Sequence, residues 1–298
     1  MTGFSIMKRK KALSIGIDVL YYSLIGTASL ILLTVFVWVF VADQFVIKGE
    51  SMEPGLTSGD HILVNKLLMG ARIYKDYDFS SPSLSCFRMP GFRKLRPGDV
   101  AVFNYPEGRE NGHIGFKINY VYCKRCIGVP GDSVSVVNGF YRNSSCENGV
   151  FSKMTYQNAL SSMSDSLLVR TGYYIRALAN EETGWTIRNM GPLYVPGKGD
   201  TVRMDRLSAA LYGKIIEWET GLEVRSTEEG VFVGGQLVPE YIFKDDYYFF
   251  GGDNVLNSRD SRYIGLVPGQ FVTGIATRIL FHKDPVTRRF RLRLKRIR

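Results

Sequence analysis

The feature that most constrains this chain is a stretch without a charge, Val19–Ala42, bracketed by Asp18 and Asp43. Read as helix at 1.5 Å per residue it reaches about 36 Å, enough to cross a hydrocarbon layer about 30 Å thick. Its second part, Leu24–Ala42, reads LIGTASLILLTVFVWVFVA. A leader peptide removed after export is the competing reading, but its apolar core would run only about 7–15 residues. Cleavage after Ala42 would also put bulky Phe40 where a small residue is needed. The stretch therefore reads as a retained, single-pass anchor.

Charge orients it. Lys8, Arg9, Lys10 and Lys11 precede the stretch, and by the positive-inside rule they stay in the cytoplasm. Residues 1–18 then form a cytoplasmic N-terminus, 19–42 the transmembrane anchor, and 43–298 an extracytoplasmic domain. A net charge of +10 would ordinarily suggest nucleic acid. Here the excess sits at the two ends, the second cluster being Arg288, Arg289, Arg291, Arg293, Lys295, Arg296 and Arg298. The middle has no basic helix, zinc finger or aromatic RNA-binding signature. Membrane lipids are the partners this pattern suits, and no nucleic acid is expected. The tail FRLRLKRIR reads either as lying on the outer membrane surface or as a final edge strand guarded by its charges.

The exported part alternates turns and strands. Pro97-Gly98-Asp99 precedes the apolar run Val100–Phe103, and Pro130-Gly131-Asp132 precedes Ser133–Val137. Asn138-Gly139 is the favoured two-residue hairpin signal before Phe140–Asn143. Tyr194–Met204 and Tyr247–Asn254 continue in this style, so the domain reads as mainly β. Its 31 glycines and 11 prolines favour short strands over long helices. Residues 152–190 show no clear period and read as irregular structure or a short helix, inside an insertion of about 140–245. Asn143-Ser144-Ser145 matches a glycosylation sequon, a weak signal.

Cys123-x-x-Cys126 admits a zinc or redox reading, but no second such pair exists and only His61, His113 and His282 could complete a site. On a strand, positions three apart face opposite ways, so the two thiols would not pair. Buried free thiols are the favoured reading for Cys86, Cys123, Cys126 and Cys146. Neither metal nor cofactor is expected.

Four segments carry chemistry: Phe45–Leu56 (FVIKGESMEPGL), Lys94–Phe103 (KLRPGDVAVF), Tyr122–Val134 (YCKRCIGVPGDSV) and Gly251–Pro268 (GGDNVLNSRDSRYIGLVP). A serine hydroxyl needs a base to become a nucleophile, and no histidine lies in these segments. A lysine serves if burial lowers its pKa, and Lys124 sits among apolar and thiol neighbours on an apparent strand. Arg125, next along, would face the other way, toward solvent.

In this order, behind one anchor, the segments resemble bacterial type I signal peptidases. The resemblance implies a signal-peptidase-like (LexA-like) β-fold and a serine endopeptidase of the bacterial inner membrane. Its substrates would be the signal peptides of exported preproteins. It implies Ser51 as nucleophile and Lys124 as general base, with Ser258 orienting the lysine amine. Asp260 and Arg262 would form a structural ion pair, and Ile47 a wall of the substrate pocket. Two positions depart from the pattern. Val255 stands where an arginine usually follows Gly-Asp-Asn, and Gly49 stands where some members carry a serine that helps form the oxyanion hole. Phe45–Ile47 reads as a strand able to pair with extended substrate. A cytosolic self-cleaving repressor would need a helix-turn-helix in place of the anchor. An inactive anchored export adaptor remains the alternative, opposed by the intact Ser51, Lys124 and Ser258.

Overall fold

The computed structural model describes residues 2–75, 86–106, 113–146 and 151–297, with side chains from Ile15 onward. The side chains of the Lys8–Lys11 cluster, and Arg298, lie outside the described residues. Helix α1 (Thr2–Phe36) passes into a wider π-helical turn over Val37–Val41. From Ile15 to Val41 this element is long and apolar enough to cross a membrane, and none of its residues is buried, though Val37, Phe40 and Val41 are half-covered. Ala42, read above as the end of the span, is instead the first residue of strand β1 (Ala42–Val46). Its backbone is extended and it pairs with Asn65 of β2 (Asp60–Asn65). Lys66 fastens this junction. Its N–H donates to the Val41 carbonyl at 2.9 Å, and its Nζ to the Trp38 carbonyl at 2.5 Å and to Asp43 at 2.9 Å.

The rest of the chain is mainly β. Beyond β1 and β2 the principal sheet holds β3 (Val100–Asn104), β4 (Val121–Gly128), β5 (Tyr247–Gly251), β6 (Val267–Pro268), β7 (Val272–Lys283) and β8 (Phe290–Arg296). The order is β1-β2-β7-β3-β4-β5-β6, antiparallel throughout, with β8 on the edge of β7. Register shifts at Val272/Gly274, Ala276/Arg278 and Ile279/Phe281 bend β7, so one long strand serves β3 at its start and β8 at its end. The Asn138-Gly139 turn closes its hairpin with positive φ at both residues, as a type I′ turn requires.

One pairing decides where the site forms. β3 accompanies β4 as far as Val121, whereas β5 pairs with it only at Arg125, Cys126 and Gly128. Past Gly251 the chain turns away. Among the described residues, Val121–Lys124 therefore keeps one edge without a strand partner.

The insertion is more regular than its sequence suggests. Residues 152–190 form three short helices, α2 (Met154–Ser162), α3 (Asp165–Arg170) and α4 (Asn180–Thr183). A fifteen-residue helix, α5 (Arg206–Thr220), follows. Asp205 caps it by accepting from the Ser208 N–H, and Gly221 ends it in the left-handed conformation. Tyr212, Ile215 and Ile216 enter a core that also takes Ile127 of β4 and Phe249 of β5. Insertion and sheet thus share one apolar interior. The Asn143 amide is buried and already donates to the Ile127 carbonyl and to Asp132, both at 2.7 Å, so it makes a poor glycosylation site.

The basic tail is strand β8, the edge-strand reading. Phe290, Leu292 and Leu294 remain exposed along it. Arg293 turns inward to clasp Asp60, which is fully buried, at 2.8 and 2.9 Å, and His282 approaches the same carboxylate at 3.1 Å. Removing one partner leaves a buried charge short of compensation. Arg293→Ala is expected to cost about 3 kcal/mol of unfolding free energy, measured by urea titration. An unchanged midpoint would reduce the tail to a passive edge.

Candidate active site

Ser51 sits on the turn that follows β1, and the interior beneath it is apolar. Met52 and Leu56 are buried with Ile47, Ile62, Val64, Val100 and Val102. The turn is tied to the loop after β5. Asn254 N–H donates to the Ser51 carbonyl at 3.0 Å, and Asn257 Nδ2 reaches Glu50 at 3.2 Å. Lys124 lies opposite Ala101 in the ladder, at the place where β5 has left β4. Its Nζ is hydrogen bonded to the Ser51 hydroxyl. The side chain is 2% exposed, and its Nζ stands 5.4 Å from the centre of the Tyr122 ring. Burial pulls its pKa down to about 8, overcoming the upward pull of Asp260.

Asp260 and Arg262 are both buried and joined at 2.9 Å. Burial pushes the Asp260 carboxyl up, but the Arg262 guanidinium, joined by the Ser258 hydroxyl and the Gly252 N–H, holds the group below its ordinary value. The carboxylate also accepts from the Gly252 N–H at 3.0 Å. Arg262 donates to the Val255 carbonyl at 2.8 Å, and the Val255 side chain is buried in the core shared with the insertion. The valine thus fills an apolar place and lends its backbone to the network.

Ser258 is buried against Gly252. A Cβ at position 252 would fall 2.2 Å from the Ser258 Oγ and 2.6 Å from the Ser51 carbonyl, so only glycine fits. The Ser258 hydroxyl comes close to the pair without a hydrogen bond to Lys124, and it helps to hold the Asp260 carboxyl down. Ile47 is 7% exposed and lines the cleft. A Cβ at Gly49 would meet nothing within 4 Å.

Arg125 corrects the expectation of solvent contact. It is buried, donating to both oxygens of Asp253 at 2.6 and 2.7 Å and to the Gly98 carbonyl at 2.7 Å. Both faces of β4 are covered here, and the bidentate carboxylate satisfies the guanidinium. All four cysteines are free. Cys126 is buried as expected, whereas Cys146 is exposed and Cys86 and Cys123 are half-buried. Burial pushes the Cys123 thiol up to about 12. The histidines stand elsewhere, with His282 on Asp60, His113 on Glu217 and His61 stacked on Phe281.

A cleft of about 460 Å³ opens at the pair. One wall is Phe45–Gly49 and the other Asn119–Lys124, where the sequence reading marks the segment from Tyr122 onward but assigns a role in the pair to Lys124 alone. Tyr122 is the residue whose part was missed there. Its ring stacks on Tyr105 at 4.3 Å and its hydroxyl meets that of Tyr120 at 3.2 Å. Its place two residues before Lys124, on the same strand face, was the available signal.

Fold and site together define the class: a serine endopeptidase built on an antiparallel sheet, with its cleft between a sheet edge and an unpaired strand segment. The model of the signal peptidase, peptidase S26 family matches residues 21–281, and the chain belongs to that family. It is similar to a signal peptidase I of Aquifex aeolicus (strain VF5), 28% identical over 253 residues, covering 83% of this chain and 78% of the relative. A signal peptidase I of Helicobacter pylori (strain ATCC 700392 / 26695) is 26% identical over 257 residues, 85% and 78% of the two chains. One from Pseudomonas aeruginosa is 38% identical over 95 residues, 32% of this chain and 27% of the relative. A solved signal peptidase I from Enterococcus faecalis V583 aligns with 62% of this chain and 97% of that one, at 17% identity and a TM-score of 0.30. That score is too low to bear on the architecture.

The titration of Lys124 gives a test. Only a neutral amine accepts a proton, so with Lys124 as the base kcat/KM on a peptide substrate is expected to rise as pH climbs through about 8. A limb that keeps rising to the 10.5 of an ordinary lysine would remove Lys124 as a pre-tuned base.

Proposed function

We propose that this protein is a membrane-anchored endopeptidase that removes N-terminal signal peptides from exported proteins, with Ser51 as nucleophile and Lys124 as general base. The observation that carries the reading is the buried amine, its pKa lowered to about 8, in contact with the one hydroxyl it would have to activate. Family membership supports the substrate class. The apolar helix supports the anchor, and the basic cluster before it supports a cytoplasmic N-terminus. Residues 43–298 would then work outside the inner membrane, beside its lipids.

In this mechanism the neutral Lys124 amine takes the Ser51 proton as Oγ attacks the scissile carbonyl. The resulting ammonium returns the proton to the leaving amine, and a water repeats the sequence on the acyl-enzyme. The Ser51 N–H is the natural oxyanion donor, and Gly49 leaves space beside it. Ser258 holds a buried hydroxyl beside Gly252, next to the Asp260 carboxylate and not bonded to Lys124 in this state. Orientation of the amine during turnover is the role proposed for it. Asp260 and Arg262 brace the loop that carries it.

Substrate enters extended. The free edges of β1 and of Val121–Lys124 offer backbone groups to a peptide lying between them, and the pocket walls read side-chain size. Small residues at alternate positions fit walls made by Ile47 and its neighbours.

Two tests follow. Ser51→Ala and Lys124→Ala should each abolish cleavage of a signal-peptide substrate while the protein stays folded, and combining them should cost little more. Substantial turnover by either single variant would sink the assignment. Ile47→Ala should let the enzyme accept a larger residue beside the scissile bond, seen as a shift in kcat/KM between alanine and valine substrates. Unchanged discrimination would remove Ile47 from the pocket wall.

A further inference from the structure

We propose that Ser152, a residue of the insertion, is a positioning residue for the Ser51–Lys124 pair, acting through the Gly252–Asn254 turn; the inference rests on the dyad reading above. Ser152 is buried and has φ of 68°, a left-handed backbone that residues other than glycine and asparagine rarely hold. Such a conformation persists only where its surroundings demand it, and it clusters at functional sites. The surroundings here are specific. Phe151 is buried in the shared core, and its carbonyl accepts from Gln157 Nε2 at 2.6 Å. The Gln157 Oε1 accepts in turn from the Tyr141 N–H at 2.9 Å. Held this way, the Ser152 hydroxyl faces the Asp253 carbonyl at 2.7 Å and the Gly252 carbonyl at 3.1 Å.

Every residue of that turn touches the site. Gly252 packs against both the Ser258 hydroxyl and the Ser51 carbonyl, and donates to Asp260. The Asp253 carboxylate holds Arg125, the residue that follows Lys124 on β4. Asn254 donates to the Ser51 carbonyl. A clamp on the carbonyl side of this turn therefore bears on the nucleophile from one side and on the strand of the base from the other. Neighbouring Lys153 approaches the same region, its Cε coming within 3.9 Å of where a Cβ at Gly55 would lie. The insertion thus closes over the back of the nucleophile turn, and Ser152 is its polar point of contact.

The test compares Ser152→Gly with Ser152→Ala in the full-length, detergent-solubilised enzyme. Both remove the hydroxyl, but only glycine relieves the left-handed backbone. Misplacement of reacting groups by a fraction of an ångström slows chemistry steeply, so both variants should lose about tenfold in kcat with little change in KM. Loosening around the amine admits water and should move the rising limb of the pH–rate profile to higher pH in both. Ser152→Gly should melt no lower than Ser152→Ala. Wild-type kcat with an unmoved limb in Ser152→Gly would overturn the proposal. So would a loss of rate that merely follows melting temperature, with the limb unmoved. Ser51→Ala, assayed alongside, separates the two readings. Activity surviving there overturns the dyad and Ser152 with it, whereas a dead Ser51→Ala beside a fully active Ser152→Gly overturns Ser152 alone.

Discussion

The arrangement depends on keeping one lysine amine out of water. A lysine drawn from 10.5 to about 8 is destabilising by about 3 kcal/mol wherever it is protonated in the folded chain. The sign is definite. The penalty is fully present below pH 8, fades as pH rises, and is gone above 10.5, because the unfolded chain holds the proton longer than the folded one. The apolar floor under Ser51 offsets it. Full burial of one large aliphatic side chain is worth about 1.5–3 kcal/mol, and Met52, Leu56, Ile62 and Val64 all lie within that floor. The packing under the Ser51 turn is thus also what allows a buried amine to exist beside it.

Burying the amine imposes order on its surroundings. Asp260 pulls the lysine's pKa up, and Arg262 opposes that pull from within the same loop. Arg125 could not sit on the opposite face of β4 without Asp253, whose carboxylate takes two of its N–H groups. Gly252, Asp253 and Asn254 link these demands, since each touches a different member of the site. A loop of this kind tolerates little movement, and the insertion helps to hold it.

Much of this was legible in the sequence, for identifiable reasons. The anchor, the turn-and-strand rhythm and the Asn138-Gly139 hairpin depend on local composition and backbone preference, which neighbouring residues alone reveal. Ser51, Lys124 and the Gly252–Arg262 segment were singled out through the resemblance carried by four ordered segments, not by any one string, and the fold brings them side by side. Arg125 was misjudged because its partner lies 128 residues away, and alternation along a strand says which face a residue takes but not what covers that face. Helix α5 was hidden by a glycine-rich background, although Asp205, Ser208 and Gly221 mark its ends. Ser152 could not be found at all. Its importance lies in a backbone angle and in two carbonyls about a hundred positions further on.

The Lys66 fastening has a consequence of its own. It binds the last turn of the apolar helix to the sheet at the residue where β1 begins, so helix end and strand cannot slide apart. β1 then covers a set length, about 13 Å from Ala42 to Val46 at the usual rise of a strand. Were the helix embedded in a bilayer, strand β1 would act as a ruler graduated from the point where the chain leaves the lipid. A peptide bound in the cleft would then be measured against it, by the number of residues between the bilayer and the cleft.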